Sequence, residues 1–75
     1  MKIGQVKWFN DAKGYGFIVA DGEDTDVFVH FSQIVMDGFR TLKEGMRVQF
    51  EPQQHDRGVM ALQVQVLDDA INAIN

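Results

Sequence analysis

Apolar and polar residues alternate along most of this chain, and the alternation falls into five runs. A period of two belongs to strands, whose successive side chains point to opposite faces. The runs cover residues 3–10, 15–20, 26–30, 46–50 and 60–66. Turn chemistry separates them. Asn10-Asp11-Ala12-Lys13-Gly14 suits a hairpin loop, Asp21-Gly22 is a strong turn signal, and residues 53–58 read as a polar loop. Pro52 cannot donate to a ladder, so it marks either the end of the fourth strand or a free edge. Between residues 31 and 44 no period holds. That stretch reads as a long crossing loop, with a turn at Asp37-Gly38 and with Ser32 placed to cap a single helical turn. Residues 68–75 have the length for two helical turns, or fray.

The stripes decide which face is the core. In KGYGFIV, residues 13–19, alternation sends Tyr15, Phe17 and Val19 one way and Gly16, Ile18 and Ala20 the other. Met46, Val48 and Phe50, and then Met60, Leu62, Val64 and Val66, give aliphatic faces that match Val6, Ile18, Val27 and Val29 in chemistry and period. These predict the interior. Five short strands with open edges would aggregate, and closure into a small barrel removes the edges. Tyr15, Phe17, Phe28 and His30 then lie outside, joined by Trp8 or Phe9 and by Phe31, a patch too large to be scattered surface hydrophobes. Strict alternation from Val6 would turn Trp8 inward. A bulge or strong twist in the first strand would bring Lys7, Trp8 and Phe9 partly onto one side.

A chain of 75 residues makes one small domain of marginal stability. It has no cysteine, so disulfides, thiolate metal sites and thiol nucleophiles are excluded. The start, MKIGQVKWF, has no apolar run suited to a signal sequence, and no stretch approaches a membrane span, so a cytoplasmic protein is expected. Seven Lys and Arg against eleven Asp and Glu give a net charge of -4, unusual for a polyanion binder. The distribution softens that objection. Acids concentrate at residues 21–26 and at Asp68-Asp69, whereas Lys7 and Lys13 flank the aromatic run.

Rings beside a few cations suit single-stranded nucleic acid. Each base that stacks contributes about 1–3 kcal/mol and Lys or Arg meets the phosphate between, so four rings supply roughly 4–12 kcal/mol gross without a basic surface. Gly14 and Gly16 bracket Tyr15 and predict a slim strand that a flat ligand can approach. The structural alternative is a second small core under the long loop, with Phe39 folded back onto the rings. Other chemistry is thin. His30 and His55 lack partners at metal spacing, and nothing would bury Asp24 or Asp26 as an acid–base pair. Asp26 is solvated or accepts a hydrogen bond from a base edge. The pattern therefore describes a binding module without catalytic residues, cofactor or metal; a groove for proline-rich peptides, as in SH3-type barrels, is the competing reading.

The run KWFNDAKGYGFI followed by DVFVHF resembles the paired motifs K-G-F-G-F-I and V-F-V-H-F of the bacterial cold-shock protein family, and the resemblance covers residues 2–66. It implies an all-β fold, a five-stranded antiparallel OB-fold barrel in residues 1–67 with a short acidic tail at 68–75. It also implies binding of single-stranded RNA or DNA, with action as an RNA chaperone or antiterminator. By motif match, Lys7, Trp8, Phe9, Lys13, Tyr15, Phe17, Phe28, His30, Phe31, Phe39 and Arg57 fall on that family's nucleic-acid contacts. Three features depart from the pattern: Tyr15 stands where Phe is usual, Val59 follows Arg57-Gly58 where proline is common, and the tail runs past the usual ending. QIVMDGFRTLKEG, with Met36 and Arg40-Thr41, looks closest to the D-type proteins, which are linked to stationary phase and to inhibition of replication. A monomer is expected, with strand exchange through the long loop as the route to a dimer.

Overall fold

The computed structural model describes residues 1–35 and 41–67; Met36, Asp37, Gly38, Phe39, Arg40 and the tail 68–75 lie outside the described residues. Five strands run in order: β1 (Lys2–Asn10), β2 (Tyr15–Ala20), β3 (Asp26–His30), β4 (Arg47–His55) and β5 (Gly58–Val66), with a 3-10 turn at Phe31–Gln33 after β3. They close into a barrel in the order β1-β2-β3-β5-β4. Four seams are antiparallel and the seam between β3 and β5 is parallel. Parity requires this, because an odd number of strands cannot close with every neighbour reversed.

The interior follows the stripes on β1 to β4. Val6, Ile18, Ala20, Val27, Val29, Val48 and Phe50 are buried, with Met46 packed partly against them. Strand β4 runs through Pro52 to His55 rather than stopping at Phe50. It pairs with β1 from Arg47 to Phe50, so Pro52 faces β5 on one side and lies beyond the β1 pairing on the other. Pro52 thus marks a free edge within the strand, and the polar loop expected over residues 53–58 shrinks to Asp56-Arg57 at the tip of the β4–β5 hairpin.

On β5 the expected stripe breaks. Ala61 and Val64 are fully buried while Met60 and Leu62 are only partly so. The register slips between Gln49–Gln65 and Glu51–Leu62, which leaves one extra residue on β5, and Gln63 takes the left-handed φ of 50°. A bulge of this kind reverses the phase of every side chain beyond it. Val64 and Val66 keep the inward side, whereas Met60 and Leu62 turn away from the centre.

The described parts of the long loop contribute to the core. Ile34 and Leu42 are buried, Ile34 makes a parallel bridge to Val64, and the Val35 N–H donates to the Val64 carbonyl at 2.8 Å. The single turn expected there is present. Its cap is His30, whose side chain accepts from the Ser32 N–H, instead of Ser32 itself.

Candidate nucleic-acid interface

The outward face of β2 and β3 gathers the rings. Tyr15 pairs with His30 and Phe17 with Phe28 across the two strands, so all four side chains project from one side. Trp8 joins them through a bulge. Val6 pairs with Ile18 and Trp8 with Phe17, so Lys7 is the inserted residue and Trp8 emerges on the outer face, 40 % exposed. Phe9, returned to the inward phase, packs partly against the core beside Gly16. Of the two rings expected from β1, Trp8 belongs to the outer face and Phe9 to the margin of the interior.

The rings form a closed circuit. Trp8 lies 5.4 Å from Phe17 and 5.9 Å from Tyr15, and Phe28 lies 5.8 Å from Phe17 and 5.7 Å from Tyr15, measured between centroids. Interplanar angles of 62°, 63° and 71° make three of these contacts edge-to-face, with Tyr15 and Phe28 tilted by 34°. Each ring is propped by two others, which fixes its direction and leaves the outer surfaces accessible. Phe31, 44 % exposed, forms a second station with His30 at 4.8 Å.

Gly16 serves a different purpose from the one its sequence position suggests. A Cβ there would meet the Trp8 carbonyl oxygen at 2.2 Å and the Phe9 Cα at 2.7 Å, so its missing side chain lets β1 approach β2 from the inside. Gly14 has φ +80°, and the Phe31 ring lies against it, 3.0 Å from where a Cβ would be. Both glycines therefore set the placement of rings through backbone packing.

Cations are sparse around the platform. Lys7 Nζ contacts both carboxylate oxygens of Asp26 at 3.2 Å, so two of the expected contact residues hold each other. Lys2 pairs with Glu23, and Arg47 donates to Asp21 at 2.9 and 2.6 Å. The acidic stretch of residues 21–26 is thus tied to β1 and β4 by ion pairs that sequence separation conceals. The Arg47 hydrogen bonds hold the Asp21 carboxyl below the usual carboxylate range. Lys13 and Arg57 make no ion pair among the described residues. Arg57, at the hairpin tip, lines an open groove together with Phe17, Phe28, His55 and Met60. Met60 enters the site through the β5 bulge, although simple alternation assigns it to the core.

Phe39 lies outside the described residues. His55 is hydrogen-bonded to Gln53 at 2.9 Å, and no cluster of three or more His, Asp or Glu residues suited to a metal occurs among the described residues. No helix there is long and apolar enough to cross a membrane.

Comparison with known proteins agrees with this geometry. The "Cold-shock" DNA-binding domain family matches residues 2–67. The cold shock-like protein CspD of Haemophilus influenzae is 56% identical over 64 residues, covering 85% of this chain and 89% of its own length. Cold shock protein 2 of Lactiplantibacillus plantarum is 61% identical over 66 residues, covering 87% and 97% respectively. The Drosophila Unr CSD456 structure superposes with a TM-score of 0.73 at 20% identity, over 88% of this chain and 26% of that longer one, a likeness of fold. With a bulge that delivers Trp8 to a propped aromatic face, a five-stranded closed barrel and a match along nearly its whole described length, the chain belongs to the cold-shock domain family.

Proposed function

We propose that this protein binds single-stranded RNA or DNA in the cytoplasm with low sequence specificity, and acts as an RNA chaperone or a regulator of transcription or translation. The observation that carries the reading is the ring circuit of Trp8, Tyr15, Phe17 and Phe28, gathered on one outer face with Trp8 exposed and the other three half-buried, and held by mutual contact. Unpaired bases can stack there, whereas bases inside a helix hide their faces, so capture of transiently open bases melts weak structure. Lys7, Lys13 and Arg57 meet the backbone, with Phe31 and His30 as the next station along the strand. Stacking is indifferent to the sugar, which makes both RNA and DNA substrates of the face.

Trp8 is the chain's single tryptophan, so its fluorescence reports on the platform directly. Oligothymidine at micromolar concentration is expected to quench it, and a fully paired hairpin to do so far more weakly. A response to proline-rich peptides with none to oligothymidine would overturn the reading.

A further inference from the structure

The 3-10 turn after β3 is capped from the strand end by a ring of the binding face. His30 Nδ1 lies 3.2 Å from the Ser32 backbone nitrogen and 2.9 Å from Ser32 Oγ. A hydroxyl can donate or accept, so the second contact alone leaves the imidazole tautomer open. The backbone N–H can only donate. Nδ1 is therefore the lone-pair nitrogen, the Ser32 hydroxyl donates toward the same side, and the ring proton sits on Nε2. The ring also leans on Phe31, 4.8 Å away between centroids and tilted by 50°. Phe31 is anchored in turn, its N–H donating to the Gly14 carbonyl at 2.8 Å and its ring lying against Gly14.

We propose that Ser32 is a positioning residue that holds His30 as the Nε2–H tautomer, so that His30 offers the bound strand a hydrogen-bond donor for an acceptor atom, either a base carbonyl or a phosphate oxygen. The inference rests on the single-strand reading above and adds directionality to it. The ring circuit presents π-faces that accept any base, whereas His30, paired with Tyr15 across the strands, places a one-way donor beside them. The alternative tautomer would present an acceptor at the same point and would set the Ser32 N–H against an N–H.

Nitrogen-15 NMR of the imidazole in the free protein, at about pH 8 where histidine is ordinarily neutral, should show Nε2 protonated and Nδ1 bare. Ser32→Ala, at an exposed position, keeps the backbone N–H that sets the tautomer, so Nε2 should stay protonated, while loss of the shorter hydroxyl contact to Nδ1 frees the ring to turn and weakens heptathymidine binding by about two- to tenfold, at most the worth of one hydrogen bond. Ser32→Thr, which returns a hydroxyl, should restore the affinity. In a His30→Phe background, which keeps a ring and removes the donor, Ser32→Ala should change nothing further. A heptathymidine with uncharged methylphosphonate linkages, which keep one weaker non-bridging oxygen, identifies the acceptor: the Ser32→Ala loss persists in full on it for a base carbonyl and shrinks for a phosphate oxygen. A proton on Nδ1, unchanged affinity in Ser32→Ala, or an equal loss in the His30→Phe background would overturn the proposal. Failure of the unmodified protein to bind heptathymidine would instead defeat the single-strand reading, while the imidazole spectrum still decides what Ser32 does.

Discussion

Strands β2 and β3 carry two faces on one backbone, and the two faces obey different rules. Inward, Ile18, Ala20, Val27 and Val29 are aliphatic and sealed from water. Outward, Tyr15, Phe17, Phe28 and His30 are half-buried and touch chiefly one another or their neighbouring rings. Aliphatic side chains suit the inside because they fill a narrow barrel without polar atoms to satisfy. The rings outside are more apolar surface than folding needs. The difference separates residues that maintain the barrel from residues available to a ligand, although they alternate one by one along the sequence.

Truncation on the inner face should give the largest effect. Phe50→Ala and Ile18→Ala remove fully buried side chains, at a cost of about 3–5 and 2–5 kcal/mol of stability respectively. In a domain this small, either change should abolish the cooperative melting transition seen by circular dichroism. Survival of both folds would erase the distinction between the faces.

On the outer face the loss should appear in binding instead. Phe17→Ala and Phe28→Ala should each weaken affinity for a seven-nucleotide pyrimidine strand by about 1–3 kcal/mol. Each change also costs the neighbouring rings a prop, a stability effect of about 0.5–1.5 kcal/mol that leaves the fold intact. Titration calorimetry beside thermal melts separates the two quantities. Unfolding by either substitution at room temperature would show that the platform belongs to the core.

Salt dependence sharpens the contrast further. With about two or three phosphates neutralised by Lys7, Lys13 and Arg57, log affinity should fall against log salt with a slope near -1.5 to -2. Asp26 holds Lys7 in the free protein, so Asp26→Asn should steepen the slope by up to about 0.7 and tighten binding at low salt. Phe28→Ala should leave the slope nearly unchanged. A slope steeper than about -4 in the unmodified protein would show that charge outweighs stacking in the affinity.

The smallest effect should come from the Asp21–Arg47 pair, which joins the end of β2 to β4. Because Arg47 lowers the folded-state pKa of Asp21, the pair adds stability above the unfolded carboxylate value and loses it as pH falls through the folded value. Asp21→Asn should therefore lower the melting temperature slightly near neutrality and flatten its decline in acid. Oligonucleotide affinity at neutral pH should not change.

The sequence discloses the barrel wherever alternation is unbroken, and β2 and β3 occur at their expected bounds. It is less decisive where one residue is inserted: a bulge in β1 is one of two expected ways to bring Trp8 outward, whereas none is expected in β5. Lys7 in β1 and the bulge near Gln63 in β5 each reverse the phase of the side chains beyond them, so Trp8 emerges and Met60 joins the groove. No local residue pattern distinguishes an inserted residue from a continuing strand. The ring residues themselves are legible, because their number exceeds what a small interior can hold. Their order of contact, the ion pairs of Asp21, Glu23 and Asp26, and the capping role of His30 depend on pairings between strands, which the order of residues along the chain does not state.

The parallel seam gives the barrel an uneven resistance to opening. It pairs Val27 with Val59 and Phe28 with Met60, against a ladder on β4–β5 that runs from Val48–Val66 to His55–Gly58. Local opening tracks the distribution of such pairings, so the parallel seam is expected to part before the β4–β5 ladder, which also holds Val59 and Met60. The groove of Phe17, Phe28, Arg57 and Met60 straddles this seam. A strand lying in it would fasten β3 to β5 from outside, and the place where the protein grips its ligand would become the place where the ligand slows the breathing of the protein.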